Sequence, residues 1–187
     1  MLDHIFSDVI SSLREVIESV GLERTVVDER FQSDILLGDL TWSSSYALPG
    51  ESTPARARLD LTAQWTAAAQ AAYRQWVDGD DPPTSPTIAL DVAFRLQEQP
   101  EPPDVAALHQ TLPIDSPPLG DDTLRRADPT IETIYGADLT AAPSYAYEVA
   151  YEGTLALSEA DLTGGPELDD RLTALGGWAA GLLAQLS

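Results

Sequence analysis

The stretch from Tyr145 to Leu157 alternates large apolar side chains with small or acidic ones. The large side chains stand at odd positions: Tyr145, Tyr147, Val149, Tyr151, Leu155 and Leu157. This period of two is typical of a β-strand that buries one face. At about 3.3 Å per residue the strand would run for roughly 40 Å, so it needs partner strands of similar length. Gly153 is predicted to mark a bulge or bend within it.

Other segments show the same alternation and supply those partners. Strands are predicted over Ile35 to Leu48 with a change of phase near Gly38, over Arg58 to Trp65 and over Thr87 to Leu96, with shorter ones within Arg24 to Phe31 and Ile131 to Tyr135. The turn signal Pro49-Gly50 joins the first two long strands as an antiparallel pair.

Apolar residues at spacings of three and four predict helices at both ends of the chain. The first helix ends at Gly21, and the last begins near Pro166 and carries its apolar stripe from Leu168 to Leu186. Gly177 and Gly181 lie four residues apart in it, which predicts a close approach of another backbone.

Two internal helices are also predicted. The alanine-rich stretch Thr66 to Val77 favours helix, with a continued strand as the alternative. A short helix over Asp104 to Leu112 would begin with Asp104 as its N-cap.

These elements predict one domain over residues 1–187 of the α+β class, with a mostly antiparallel sheet packed against the N-terminal and C-terminal amphipathic helices. Residues 97–143 interrupt the pattern with a proline-rich excursion. Because so long a connection is unusual in a compact domain, it is expected to be an arm or lid, or a segment that orders against a neighbour.

The excess of acidic over basic residues indicates the kind of solvent to which the protein is adapted. The chain carries 31 acidic and ten basic residues, a formal charge of -21, and every basic residue is arginine. Such a surface repels itself at ordinary ionic strength, whereas molar salt shortens the Debye length to about 3 Å. Since the acids are scattered along the chain, we interpret them as an adaptation to high salt, with a specific cationic partner as the alternative.

Composition also excludes several classes of protein. The chain has no cysteine and no lysine, which removes disulfides, thiolate chemistry, Schiff bases and a phosphate-binding P-loop lysine. We expect no membrane segment and no secretion signal, because no apolar run is long enough and the N-terminus is acidic. Sequence-specific nucleic-acid binding is not expected, since Arg125-Arg126 is the only basic pair.

No motif in the sequence predicts a catalytic or ligand-binding site. His4 and His109 lack a second ligand at helical spacing, so neither a metal nor a cofactor is predicted. The doublets Asp80-Asp81, Asp121-Asp122 and Asp169-Asp170 suit solvated surface, with cation binding or hydrolysis as the alternative. Glu148 and Glu152 would point together from the outer face of the long strand.

The order of elements is a helix, antiparallel strands with an interruption, a long strand and a closing helix. It resembles that of the small tail-completion and tail-terminator proteins of tailed viruses, in a salt-adapted form. The resemblance implies a non-enzymatic, ring-forming protein between a virus head and tail tube, with an acidic lumen that lets DNA slide. It also implies that the proline-rich excursion is an arm clasping the next subunit.

That resemblance predicts a homo-oligomer with other structural proteins as partners, located in the virion. Candidate subunit contacts are Tyr145, Tyr147, Arg125 and Arg126. Two alternatives stay open: a cytoplasmic binding module or holdase-type chaperone of a high-salt cell, and an enzyme that uses paired carboxylates.

Overall fold

A computed structural model describes residues 3–25, 29–34, 38–51, 54–82, 84–136, 142–158, 161 and 167–187. The helices are α1 Asp3–Ser19, α2 Ala67–Val77, α3 Val105–Thr111 and α4 Glu167–Leu186. The strands are β1 Glu23–Arg24, β2 Arg30–Ser33, β3 Leu40–Ala47, β4 Ala57–Trp65, β5 Thr87–Gln99, β6 Arg125–Arg126, β7 Thr130–Ile134 and β8 Ser144–Ala156. The predicted α+β class is confirmed.

The described strands form one antiparallel sheet whose centre is the order β3-β4-β5-β8. The short strands β1 and β2 both pair with β3 at one edge, and β6 and β7 both pair with β8 at the other. The predicted pairing of β3 with β4 across Pro49-Gly50 is confirmed. The predicted strand from Ile35 begins only at Leu40, and residues 35–37 lie outside the described residues, as do 26–28 of the first short strand.

Alternation along the strands divides the sheet into a buried face and an open face. In register across the sheet, Leu61 lies opposite Val92 and Val92 opposite Tyr151, all buried. α1 and α4 pack on this buried face, as predicted, because each carries an apolar stripe. The open face carries polar and charged side chains, among them Glu148 and Glu152.

Contact between α1 and α4 depends on a glycine that the sequence pattern did not single out. A Cβ at Gly176 would lie far inside van der Waals contact with Cγ1 of Val16, whereas Gly177 and Gly181 are exposed with open space around them. The prediction that Gly177 and Gly181 admit a close backbone is therefore wrong. The helix turns Gly176 toward α1, since residues one apart differ by about 100° around the axis.

Gly153 also has a different role from the one predicted. It pairs regularly with Leu90, so β8 has no bulge there, and the irregularity of the sheet lies in β5 between Leu96 and Gln99. A Cβ on Gly153 would lie 2.8 Å from the carbonyl oxygen of Thr123. The glycine is needed because another segment of backbone crosses the strand at that point.

That crossing segment belongs to the proline-rich excursion. Leu112, Leu119 and Leu124 are buried in the same core as the sheet and helices. Arg126 donates hydrogen bonds to the carbonyls of His109 at 3.3 Å and Leu112 at 2.6 Å. The expectation of an arm, a lid or a segment that orders against a neighbour is therefore wrong around these three leucines, where the excursion packs on the core of its own chain.

The internal helices begin where the sequence predicted. Thr66 caps α2 by accepting a hydrogen bond from the backbone N–H of Ala69, and Asp104 caps α3 by accepting from Ala106 and Ala107. The helical reading of the alanine-rich stretch is thus confirmed over the strand alternative.

Candidate interaction surfaces

The open face of the sheet carries a cluster of carboxylates at its centre. Asp91 of β5 lies directly opposite Glu152 of β8, and Asp60 lies one strand away on β4. Side chains directly opposite in an antiparallel pair have Cβ atoms about 5 Å apart, so two carboxylates in these positions repel each other.

Asp91 has the most perturbed carboxyl group of this cluster. Partial burial, followed by repulsion from Glu152, Glu148 and Asp60, raises the pKa of Asp91 from 3.8 to about 6. Both causes penalise the charged form, because the half-buried carboxylate loses water and gains negative neighbours. Asp91 therefore takes up a proton at a higher pH than an exposed aspartate.

Two arginines lie directly opposite each other on the same face, to one side of the cluster. Arg95 donates to Glu148 at 3.2 Å and to Glu132 of β7 at 2.7 Å, so it links three strands. Arg58 pairs with Asp60 at 2.9 Å. Acidic and basic side chains are therefore paired on this face, but the neighbours that shift the pKa of Asp91 are all acidic.

The edge strands expose large apolar side chains. Ile131 and Ile134 on β7 are each 41% exposed, and Tyr135 directly after the strand is 70% exposed. On the opposite edge Phe31 of β2 is 58% exposed, and its ring packs in a tilted arrangement against the ring of Phe6. Within the described residues β2 pairs only with β3, and β7 only with β8, and every residue of both strands is exposed.

Hydrogen bonds on the buried face of the sheet connect the first half of the proline-rich excursion to β6 and β8. The Tyr151 hydroxyl donates to the carbonyl of Pro113 at 2.8 Å, beside the carbonyls that Arg126 holds. The Tyr147 hydroxyl is buried and has no hydrogen-bond partner among the residues that the structure describes, and burial raises its pKa to about 12. Tyr147 also lines a groove of about 350 Å³ beside α3, together with Leu96 and Leu108.

The predicted subunit contacts divide between surface and interior. Arg125 is exposed on the open face opposite Glu152, and Tyr145 is half-buried between β5 and β7. Tyr147 is fully buried on the face that the excursion covers, so its surface is not open to a neighbour. Arg126 is half-buried and binds carbonyls of its own chain, and its role as a contact, like that of Arg125 and Tyr145, stays a prediction.

Sequence reasoning missed Phe31, Ile131 and Ile134 as surface residues. Phe31 and Ile131 each stand between polar residues in a segment predicted as strand, a pattern that normally indicates burial, whereas Ile134 follows no period of two. What exposes them is the position of their strands at the sheet edges, which only strand order reveals.

The remaining sequence candidates do not converge. His4 and the doublets Asp80-Asp81 and Asp121-Asp122 are exposed, and Asp169-Asp170 lies in the first turn of α4, where acids favour the helix dipole. Among the residues that the structure describes, no group of three acids or histidines is placed to hold a metal ion.

Comparison of the chain with protein-family models, with curated proteins and with solved structures finds no match. No helix in the described ranges is long and apolar enough to cross a membrane.

Proposed function

We propose that this protein is a non-enzymatic structural subunit of a homo-oligomeric ring, of the virion head-tail connector or tail-terminator kind, from a high-salt system. The observation that supports this proposal best is the pair of exposed sheet edges. An exposed sheet edge presents backbone N–H and C=O groups that can pair with a strand of another chain. Here Phe31 at one edge and Ile131 at the other expose apolar surface suited to a subunit contact.

The acidity of the chain fits assembly only in salt. With a formal charge of -21, two copies repel each other strongly at low ionic strength. In about 2 M KCl the screening length is shorter than the diameter of a side chain, so apolar contacts between copies prevail. The proposed locations are the virion or the cytoplasm of a high-salt cell.

Native mass at increasing protein concentration tests the proposal. Light scattering in about 2 M KCl should show one closed oligomer of fixed size, and unfolding midpoints should rise with KCl concentration. A chain that remained monomeric at every concentration would refute the ring, and stability independent of KCl would refute the salt adaptation.

A second candidate, a holdase-type chaperone, is favoured by the groove beside α3. Its lining combines the apolar side chains of Leu96 and Leu108 with polar groups such as Thr111, and such a mixed lining suits an extended peptide. In this case the protein should suppress aggregation of an unfolded substrate, and Leu108→Asp should abolish that effect while leaving the native mass unchanged.

A further inference from the structure

The edge strands β2 and β7 run in opposite directions. β2 is antiparallel to β3, and each step through β4, β5 and β8 to β7 reverses the direction once more. If a second copy is placed beside the first with the same face buried, its β2 therefore runs antiparallel to the first copy's β7. A simple side-by-side contact would thus extend the antiparallel sheet.

Side chains on these edges match by face. Phe31 lies opposite Trp42, and Ile131 lies opposite Tyr147, so both stand on the buried face. Arg30 lies opposite Ser43, and Glu132 opposite Ala146, so both stand on the open face. A pairing of β2 with β7 that preserves the faces can therefore place an apolar residue opposite an apolar one and a basic residue opposite an acidic one, if the register allows it.

One register satisfies both conditions. When Phe31 lies opposite Ile131, the next pair is Arg30 with Glu132, and on the other side Gln32 meets Thr130. The pairing then ends at Pro129, which has no N–H to continue the ladder. A shift by two residues places Phe31 opposite Thr133 and leaves Arg30 opposite Ile134.

We propose that neighbouring protomers join head to tail through β2 and β7 in this register, so that one continuous antiparallel sheet passes around the assembly. This inference rests on the proposed ring function. A two-fold contact between two β7 strands would cover only one edge and leave Phe31 exposed, whereas the head-to-tail contact covers both. Glu132 then lies between Arg95 of its own protomer and Arg30 of the neighbouring protomer.

Disulfide formation between single-cysteine variants tests the register, since the chain has no cysteine of its own. Directly opposite residues are close enough for a disulfide, whereas residues displaced by two lie about 7–8 Å apart and are not. In about 2 M KCl, F31C mixed with I131C should give covalent dimers, while neither variant alone does. F31C mixed with T133C is the matched control and should give few.

Each other outcome overturns the inference. Dimers of I131C alone, or of I131C with Y135C, would indicate a two-fold contact, and preferred coupling of F31C to T133C would indicate another register. An oligomeric native mass without any of these crosslinks would overturn sheet continuation while the ring proposal stands. A monomeric native mass would overturn both.

The unmodified protein provides an independent measurement if a variant folds poorly. Amide hydrogen exchange should slow in β2 and β7 together as concentration rises, because their outward N–H groups gain partners. Slowing confined to other elements would refute the contact.

Discussion

Replacing Gly176 with alanine tests how closely α1 and α4 approach. The new Cβ would overlap Cγ1 of Val16, and valine in a helix is held in one rotamer, so the helices must separate or the side chain must strain. Overpacking of this kind costs about 1–3 kcal/mol. Alanine also gains about 1 kcal/mol over glycine in a helix interior, which leaves a net loss of roughly 0–2 kcal/mol.

Gly177→Ala and Gly181→Ala are matched controls in the same helix. Both sites are exposed with open space around them, so alanine should stabilise each by about 0.5–1 kcal/mol. Thermal unfolding resolves these differences, since about 1 kcal/mol shifts the midpoint by roughly 2–4 °C in a chain of this size.

A double-mutant cycle identifies the contact responsible. Val16→Ala removes the methyl group that the new Cβ would meet, so the combination with Gly176→Ala should be more stable than the sum of the single effects, by about 1–3 kcal/mol. If all three glycine replacements stabilised the protein equally, or if the cycle showed no coupling, the close approach of the two helices would be refuted.

Three further predictions concern the open face and the excursion. The pKa of Asp91 is about 6 in the folded protein and lower when unfolded, so this carboxyl lowers stability as pH rises from about 4 to 6; Asp91→Asn should raise the unfolding midpoint at pH 7 and leave it unchanged at pH 4. An equal effect at both pH values would contradict the shift. Arg126→Ala should cost about 1.5–3 kcal/mol, because charged hydrogen bonds to two carbonyls are lost, whereas exposed Arg125→Ala should stay within about 0.5 kcal/mol. Similar denaturation midpoints for the two variants would count against the anchoring role of Arg126. Gly153→Ala should destabilise by roughly 1–3 kcal/mol and speed amide exchange in residues 112–124, and unaltered exchange there would show that the backbones are not in contact.

The sequence by itself determined the elements and their faces. Period-two alternation identified β4, β5 and β8 and placed Tyr147 and Tyr151 inward with Glu148 outward, because a strand directs successive side chains to opposite faces. Helix caps and apolar stripes identified the helices for the same local reason.

Tertiary structure alone decided which elements meet. Alternation gives the face of a residue but not the strand beside it, so the repulsion of Asp91 by Glu152 and the exposure of Ile131 follow only from strand order. The contacts that require Gly153 and Gly176 join segments far apart in the chain. The residues around each glycine do not indicate which distant segment will pack against it. The long strand predicted at the outset is therefore central to the fold, while the surfaces proposed for assembly lie on the short strands at its margins.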